Sequence, residues 1–325
     1  MDQRVKQLQE YIEAEITSQS YGNEPATLYE PIQYIMSLGG KRIRPLLAML
    51  AYELFEEDSS RIVKQAVAVE VFHNFTLMHD DIMDRAPIRR GKPTVHEKWG
   101  DNNAILSGDV MLVKSYELFL ESGAHNIIPI LNAFNKCATE VCEGQQLDMD
   151  FEDRNDVSEE EYLNMIRLKT AVLLGFSARL GSMLASTSEE NAQAMEDFAV
   201  NIGIGFQLMD DLLDVYGDAQ KFGKQEGGDI IANKKTFLLI EALEKSNPEE
   251  RKTLDYWIGL KDFDPAEKVR EVKRIYDQIG VPEISKNKMN EYFNLGMQNL
   301  DQLSVEESRK DALKTFMTAL MNRDR

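Results

Sequence analysis

The chain has 325 residues, 43% apolar and 29% charged, with only 9 Pro and 19 Gly, which excludes collagen-like, low-complexity and disordered classes and leaves a folded globular protein. A net charge of −19 argues against non-specific binding to nucleic acid or anionic membrane, so any phosphate-bearing partner must be gripped by local cations. Cys137 and Cys142 exclude a disulfide framework and are read as small buried apolar groups. The N-terminal stretch is not of secretory type, and no run of roughly 18 apolar residues occurs. The expectation is a cytoplasmic protein without a transmembrane segment.

Apolar residues recur at three- and four-residue intervals, and alternating Val/Ile/Thr-rich runs are nearly absent, so the chain reads as all-α. In chain order the periodicity predicts helices over 3–18, 26–38, 42–56, 60–84, 103–121, 126–150, 158–185, 189–216, 235–245, 249–260, 265–279, 284–302 and 306–322. Interruptions at Gly39-Gly40, Pro87 to Pro93, Gly217 to Gly228 and Asn247-Pro248 contain no flexible interdomain linker, so residues 1–325 are expected to form one helical-bundle domain. The last 75 residues are more polar and are expected to lie at the periphery.

The run Phe75-Thr-Leu-Met-His-Asp80-Asp81-Ile-Met-Asp84 ends an apolar helical stretch in three carboxylates, Asp80 and Asp84 sharing a face. Carboxylates crowded into one turn repel each other, and a cation should relieve them. Phe206-Gln-Leu-Met-Asp210-Asp211-Leu-Leu-Asp214 repeats the arrangement. Hard oxygen donors at that density suit Mg2+, which typically uses one or two carboxylates together with substrate phosphates, so two such helix ends would face each other through a diphosphate.

An acidic diphosphate-binding chain needs basic residues beside those carboxylates, and four clusters qualify. They are Gly39-Gly-Lys41-Arg42-Ile-Arg44-Pro45, Arg85 through Arg89-Arg90-Gly-Lys92, Lys169-Thr170, and the run from Lys224 to Lys234-Lys235-Thr236. His73 lies two turns before Asp80 on nearly the same face.

Taken together these motifs resemble the trans-isoprenyl diphosphate synthases, or polyprenyl synthetases, in order and spacing over residues 39–236. The resemblance implies an isoprenoid-synthase-type all-α bundle around a central cavity, normally a homodimer, that condenses isopentenyl diphosphate with an allylic diphosphate. It implies that Asp80, Asp84 and Asp210 hold Mg2+ (three ions) on the allylic diphosphate, with Asp81, Asp211 and Asp214 in support. Lys41, Arg44, His73 and Arg90 would grip isopentenyl diphosphate. Arg89, Lys169, Lys224 and Lys234 would meet the allylic diphosphate, and Thr170 and Gln207 would lie near the cationic carbon.

Phe72, Phe75 and Thr76 share a helical face one to two turns before Asp80, where aromatic rings would obstruct a growing prenyl chain. With Phe75 as floor the expected product is C15–C20, farnesyl or geranylgeranyl diphosphate. A terpene cyclase would need a different second metal motif, and a non-catalytic prenyl-diphosphate-binding regulatory subunit typically loses one aspartate motif. The latter is the alternative reading.

Overall fold

The three- and four-residue spacing of Val5, Leu8, Ile12 and Ile16 buries one face of α1 (Gln3–Ser18), and the same logic builds the rest of the chain. The computed structural model describes residues 3–122, 127–217 and 227–321. After α1 come α2 (Ala26–Ser37), α3 (Ile43–Glu53), a 3-10 turn (Ser59–Ile62) and α4 (Val63–Met83). A two-strand hairpin, β1 (Ile88–Arg89) and β2 (Lys92–Pro93), leads into α5 (Val95–Trp99), α6 (Asp101–Leu120) and α7 (Ile128–Glu152). Then follow α8 (Glu159–Ile166), a π-helical segment (Arg167–Ala171), α9 (Val172–Leu184), α10 (Glu189–Tyr216) and α11 (Gly228–Ile231). The chain continues through α12 (Phe237–Lys245), α13 (Pro248–Gly259), α14 (Pro265–Ile279), α15 (Val281–Asp301) and α16 (Glu307–Met321). The fold is all-α.

Local chemistry sets several boundaries. Ser158 with Glu161, and Asn247 with Glu250, form reciprocal capping boxes at the starts of α8 and α13. Asp264 caps α14, Pro265 opens it, and Gly280 in the left-handed region closes it. The predicted helix 158–185 is interrupted at Arg167–Ala171, where the backbone widens into a π turn.

Two compact units are distinguished. The first comprises Met1–Lys136, Phe176–Glu196 and Leu303–Leu320. In it α4 packs most extensively on α6 and also meets α1, α2 and α3, and α3 is buried from Pro45 to Tyr52. The second comprises Cys137–Gly175, Asp197–Gln302 and Met321–Arg325. One of its cores joins Leu212 and Val215 of α10 to Leu238, Leu254, Trp257, Val272 and Tyr276. The expectation that the last 75 residues are peripheral is therefore corrected. Their polar composition reflects the outer faces of amphipathic helices whose inner faces are core. Cys137 is buried but Cys142 is exposed, so only one of the two thiols is an interior group.

Candidate active site

In the first unit, α4 ends in a Schellman arrangement. Ala86 N–H donates to Asp81 O at 2.9 Å, Arg85 N–H to Ile82 O at 3.2 Å, and Arg85 adopts φ +50° where glycine is usual. This stop leaves Asp84 exposed and Asp80 half-buried, and it turns the chain back as the β1–β2 hairpin. The hairpin loop Arg90-Gly91 has positive φ at both positions, +52° and +73°, as a two-residue primed turn demands. Arg89 is thereby returned to α4. Its Nε lies 2.9 Å from both oxygens of Asp81 and its Nη2 lies 2.7 Å from Oδ1. Asp81 is only 2% exposed, so this bidentate grip compensates a buried carboxylate.

The basic cluster is assembled on the same unit. The Arg90 guanidinium donates to the carbonyl of Gly39 and covers Gly40, where φ is +147° and a Cβ would come within 3.0 to 3.1 Å of it. The backbone angle is what calls for glycine at position 40, while the crowding is with the movable end of the Arg90 side chain. Arg42, also left-handed at φ +48°, is buried and bonds Glu13, Glu70 and the carbonyl of Met36, which fixes the loop carrying exposed Lys41. Arg44 Nη1 lies 3.1 Å from His73 Nε2. Because guanidinium has only donors, that nitrogen accepts and the imidazole is neutral. Burial first, then the surrounding Arg44, Arg90, Arg89 and Arg42, hold the His73 pKa well below its usual value.

Phe72 is 1% exposed and packs edge-on to Phe134 at 5.0 Å, within an aromatic cluster that includes Phe119 and Phe176. Phe75 is half-buried one turn on, 5.5 Å from Phe72 and 4.8 Å from the His79 ring. Thr76, also half-buried, bonds the His73 carbonyl at 2.8 Å.

In the second unit, Asp210 is exposed, while Asp211 is 5% exposed and held by neutral donors. The buried Tyr162 hydroxyl donates to its Oδ2, and Gln207 Nε2 donates to Oδ1 at 3.0 Å. Burial, and secondarily Asp229, push the Asp211 pKa up to about 7. Asp214 accepts the Asp229 N–H at 2.8 Å and so anchors the start of α11. Lys169 and Thr170 lie in the π segment, which is pressed between two glycines. A Cβ at Gly144 of α7 would reach 2.2 Å from Lys169 N, and one at Gly203 of α10 would reach 2.8 Å from the Cα of Ala171. Lys169 Nζ contacts Asp148 Oδ2 at 2.5 Å, and the Thr170 hydroxyl donates to Gln207 Oε1 at 3.2 Å. Lys234 is exposed just after a loop fastened by the buried Lys268, which donates to Ile231 O at 3.2 Å and Asn233 Oδ1 at 2.6 Å. Lys224 lies outside the described residues.

The carboxylates suit a hard cation. Among the described residues no three His, Cys, Asp or Glu side chains are grouped to hold a metal by themselves. Donors spaced i and i+4 at a helix end instead match an ion that completes its shell with water and substrate phosphate. Asp148, Tyr162 and Asp229 were not singled out from the sequence. Their partners lie 21, 49 and 15 positions away in the chain, so no local pattern marks them.

Residues 25–279 match the family model described as Polyprenyl synthetase. A geranylgeranyl diphosphate synthase of Methanosarcina mazei is 38% identical, covering 92% of this chain and 91% of its own length. A geranylfarnesyl diphosphate synthase of Natronomonas pharaonis is 32% identical, covering 95% and 94%. A crystal structure of a geranylgeranyl pyrophosphate synthase superposes with a TM-score of 0.95 at 42% identity, covering 100% of each chain. With the aspartate-ended helices and their basic neighbours, this extent of match shows that the chain belongs to the polyprenyl synthetase family.

Proposed function

We propose that this chain is a short-chain isoprenyl diphosphate synthase that joins isopentenyl diphosphate head to tail to an allylic diphosphate, giving a C15–C20 product. The observation that carries the reading is the shared build of the two aspartate motifs. In each, the second aspartate is buried and gripped by protein donors, Arg89 on Asp81 and Tyr162 with Gln207 on Asp211, whereas Asp84 and Asp210 are exposed and Asp80 is half-buried. That division of labour suits Asp80, Asp84 and Asp210 as ligands of Mg2+, three ions in all, with Asp81, Asp211 and Asp214 as supports. Held there with the allylic diphosphate, Mg2+ would neutralise charge that develops on the leaving group.

Lys169, Lys234, Lys224 and Arg89 add positive charge to the same diphosphate. Lys41, Arg44, neutral His73 and Arg90 orient isopentenyl diphosphate. Scission of the allylic carbon–oxygen bond leaves a delocalised cation beside Thr170 and Gln207. The alkene of isopentenyl diphosphate attacks it, and the proton then lost passes to the released diphosphate. Phe72, Phe75 and Thr76 limit chain growth, and the match to geranylgeranyl diphosphate synthases favours C20. A regulatory subunit is set aside because both motifs are intact and the relatives that align over 92% and 95% of this chain are named as synthases.

The chain works as a homodimer in the cytoplasm. Leu106, Val113 and Leu120 recur every seven residues on α6 and are 56%, 56% and 58% exposed, an apolar stripe that suits a second copy. Light scattering at twice 37.1 kDa is the expected result, and a monomer mass would remove that part. No helix among the described residues is long and apolar enough to cross a membrane. The activity is tested by incubating the purified chain with Mg2+, labelled isopentenyl diphosphate and each of the C5, C10 and C15 allylic diphosphates. A C15 or C20 product is expected. A product of C30 or longer would discard the Phe75 floor, and no condensation with any primer would discard the reaction.

A further inference from the structure

Four side chains of the second unit form one directional hydrogen-bond relay. Asp211, when ionised, offers only acceptors, so the Tyr162 hydroxyl on Oδ2 and the Gln207 amide nitrogen on Oδ1, 3.0 Å away, are both donors. The carboxylate thereby selects one face of the Gln207 amide, since the flipped group would set its oxygen against Asp211. With Nε2 committed, Oε1 is turned to Thr170, whose Oγ1 lies 3.2 Å away and must supply the hydrogen. A helical threonine commonly spends its hydroxyl on a carbonyl one turn back, but Thr170 sits in the π segment and spends it on Gln207. The Thr170 oxygen is left presenting only lone pairs on its other side.

We infer that Tyr162 is a positioning residue for the reaction. Through Asp211 and Gln207 it fixes the Thr170 hydroxyl as an acceptor, a partial negative charge aimed at the substrate, rather than as a donor free to rotate toward diphosphate oxygen. An acceptor in that orientation stabilises positive charge on the allylic carbon as it develops, and it does so with no reorganisation at the moment of reaction. A donor would compete for the leaving group and give the carbon nothing. Tyr162 suits the task because it is 2% exposed and belongs to a core with Phe151, Ile166, Ala171 and Leu208, so its ring cannot swing away. The chain of bonds is short, and while Asp211 is ionised each link has a single permitted sense.

This inference rests on the synthase reading above, and the experiment separates the two. Wild type, Tyr162→Phe, Thr170→Val and the double variant are assayed with Mg2+, isopentenyl diphosphate and geranyl diphosphate. Tyr162→Phe is expected to lower kcat about tenfold while KM for either diphosphate stays within about twofold, because only an interaction of the transition state is lost. In the Thr170→Val background the same change is expected to cost nothing further. Additive losses, or a raised KM at unchanged kcat, would overturn the relay while leaving the synthase reading intact. An inactive wild type would overturn both. If Tyr162→Phe is destabilised, the four proteins are assayed at a lower temperature at which circular dichroism shows all of them folded, and additive losses there are again the overturning result.

Discussion

The two aspartate motifs share a sequence pattern but hold their supporting carboxylates in different surroundings. Around the first, arginines dominate. Asp81 is clasped by Arg89, and the cations Arg44, Arg90, Arg89 and Arg42, with burial as the larger effect, keep His73 neutral. Around the second, no arginine clasps the supporting carboxylate, and burial with Asp229 nearby pushes Asp211 up to about 7 although Tyr162 and Gln207 donate to it and Lys234 also favours its charge. One pattern of residues has thus been given a charged clamp at one site and a neutral one at the other. A motif specifies which atoms are presented, while its neighbours decide how strongly the supporting carboxylate is held ionised.

The largest test of the comparison is removal of one proposed metal ligand from each side. Asp80→Ala and Asp210→Ala should each lower turnover by about 1,000-fold or more at saturating Mg2+, since stabilising the charge that develops on a leaving group is worth several kcal/mol. Steady-state rates check this, and near-normal turnover in either variant would break the equivalence of the two motifs. The clamps should differ next. Arg89→Met leaves the buried Asp81 charge without its partner and should destabilise the chain by about 2–3 kcal/mol, whereas Tyr162→Phe removes one neutral donor and should cost about 1 kcal/mol. Urea unfolding compares them directly, and equal losses would erase the distinction between charged and neutral support.

A smaller change concerns product rather than rate. Phe75→Ala should lengthen the prenyl chain by one or more C5 units, read by chromatography of the dephosphorylated alcohols, and an unchanged product would count against Phe75 as the floor. The smallest expected effect is on pH. His73 has a folded-state pKa below its ordinary value of 6.5, so the unfolded chain binds the extra proton first as pH falls. Its contribution to stability is therefore complete above pH 6.5 and declines below it. His73→Gln should flatten the fall in unfolding free energy between pH 6.5 and pH 5, and an identical slope in the two proteins would show that the histidine does not titrate differently on folding.

Much of this was legible in the sequence, for identifiable reasons. Long helices with strict apolar periodicity, such as Glu189–Tyr216, match the predicted span 189–216 because one buried face dictates both period and length. The aspartate clusters were visible because like charges crowded at a helix end need an explanation. The hairpin at Ile88–Pro93 was not, since its strands are two residues long and its turn is Arg-Gly rather than an Asn-Gly or Asp-Gly pair. Nor were the roles of Asp148 and Tyr162, which exist only because the fold brings together distant stretches of chain. The polarity of the last 75 residues misled for a related reason, as composition averages over both faces of an amphipathic helix and hides the buried one.

The π turn at Arg167–Ala171 has an implication for how this tract tolerates change in length. It accommodates one residue more than an α-helix would, so the residues before and after it are indexed about 100° out of step around the axis. A one-residue deletion there would restore a regular helix and rotate either the Tyr162 half or the α9 half off its own bed of contacts, even if every remaining side chain were kept. The tract should accept conservative exchange of most of its letters while rejecting a frame change of one, and its length is as much a coded quantity as its composition.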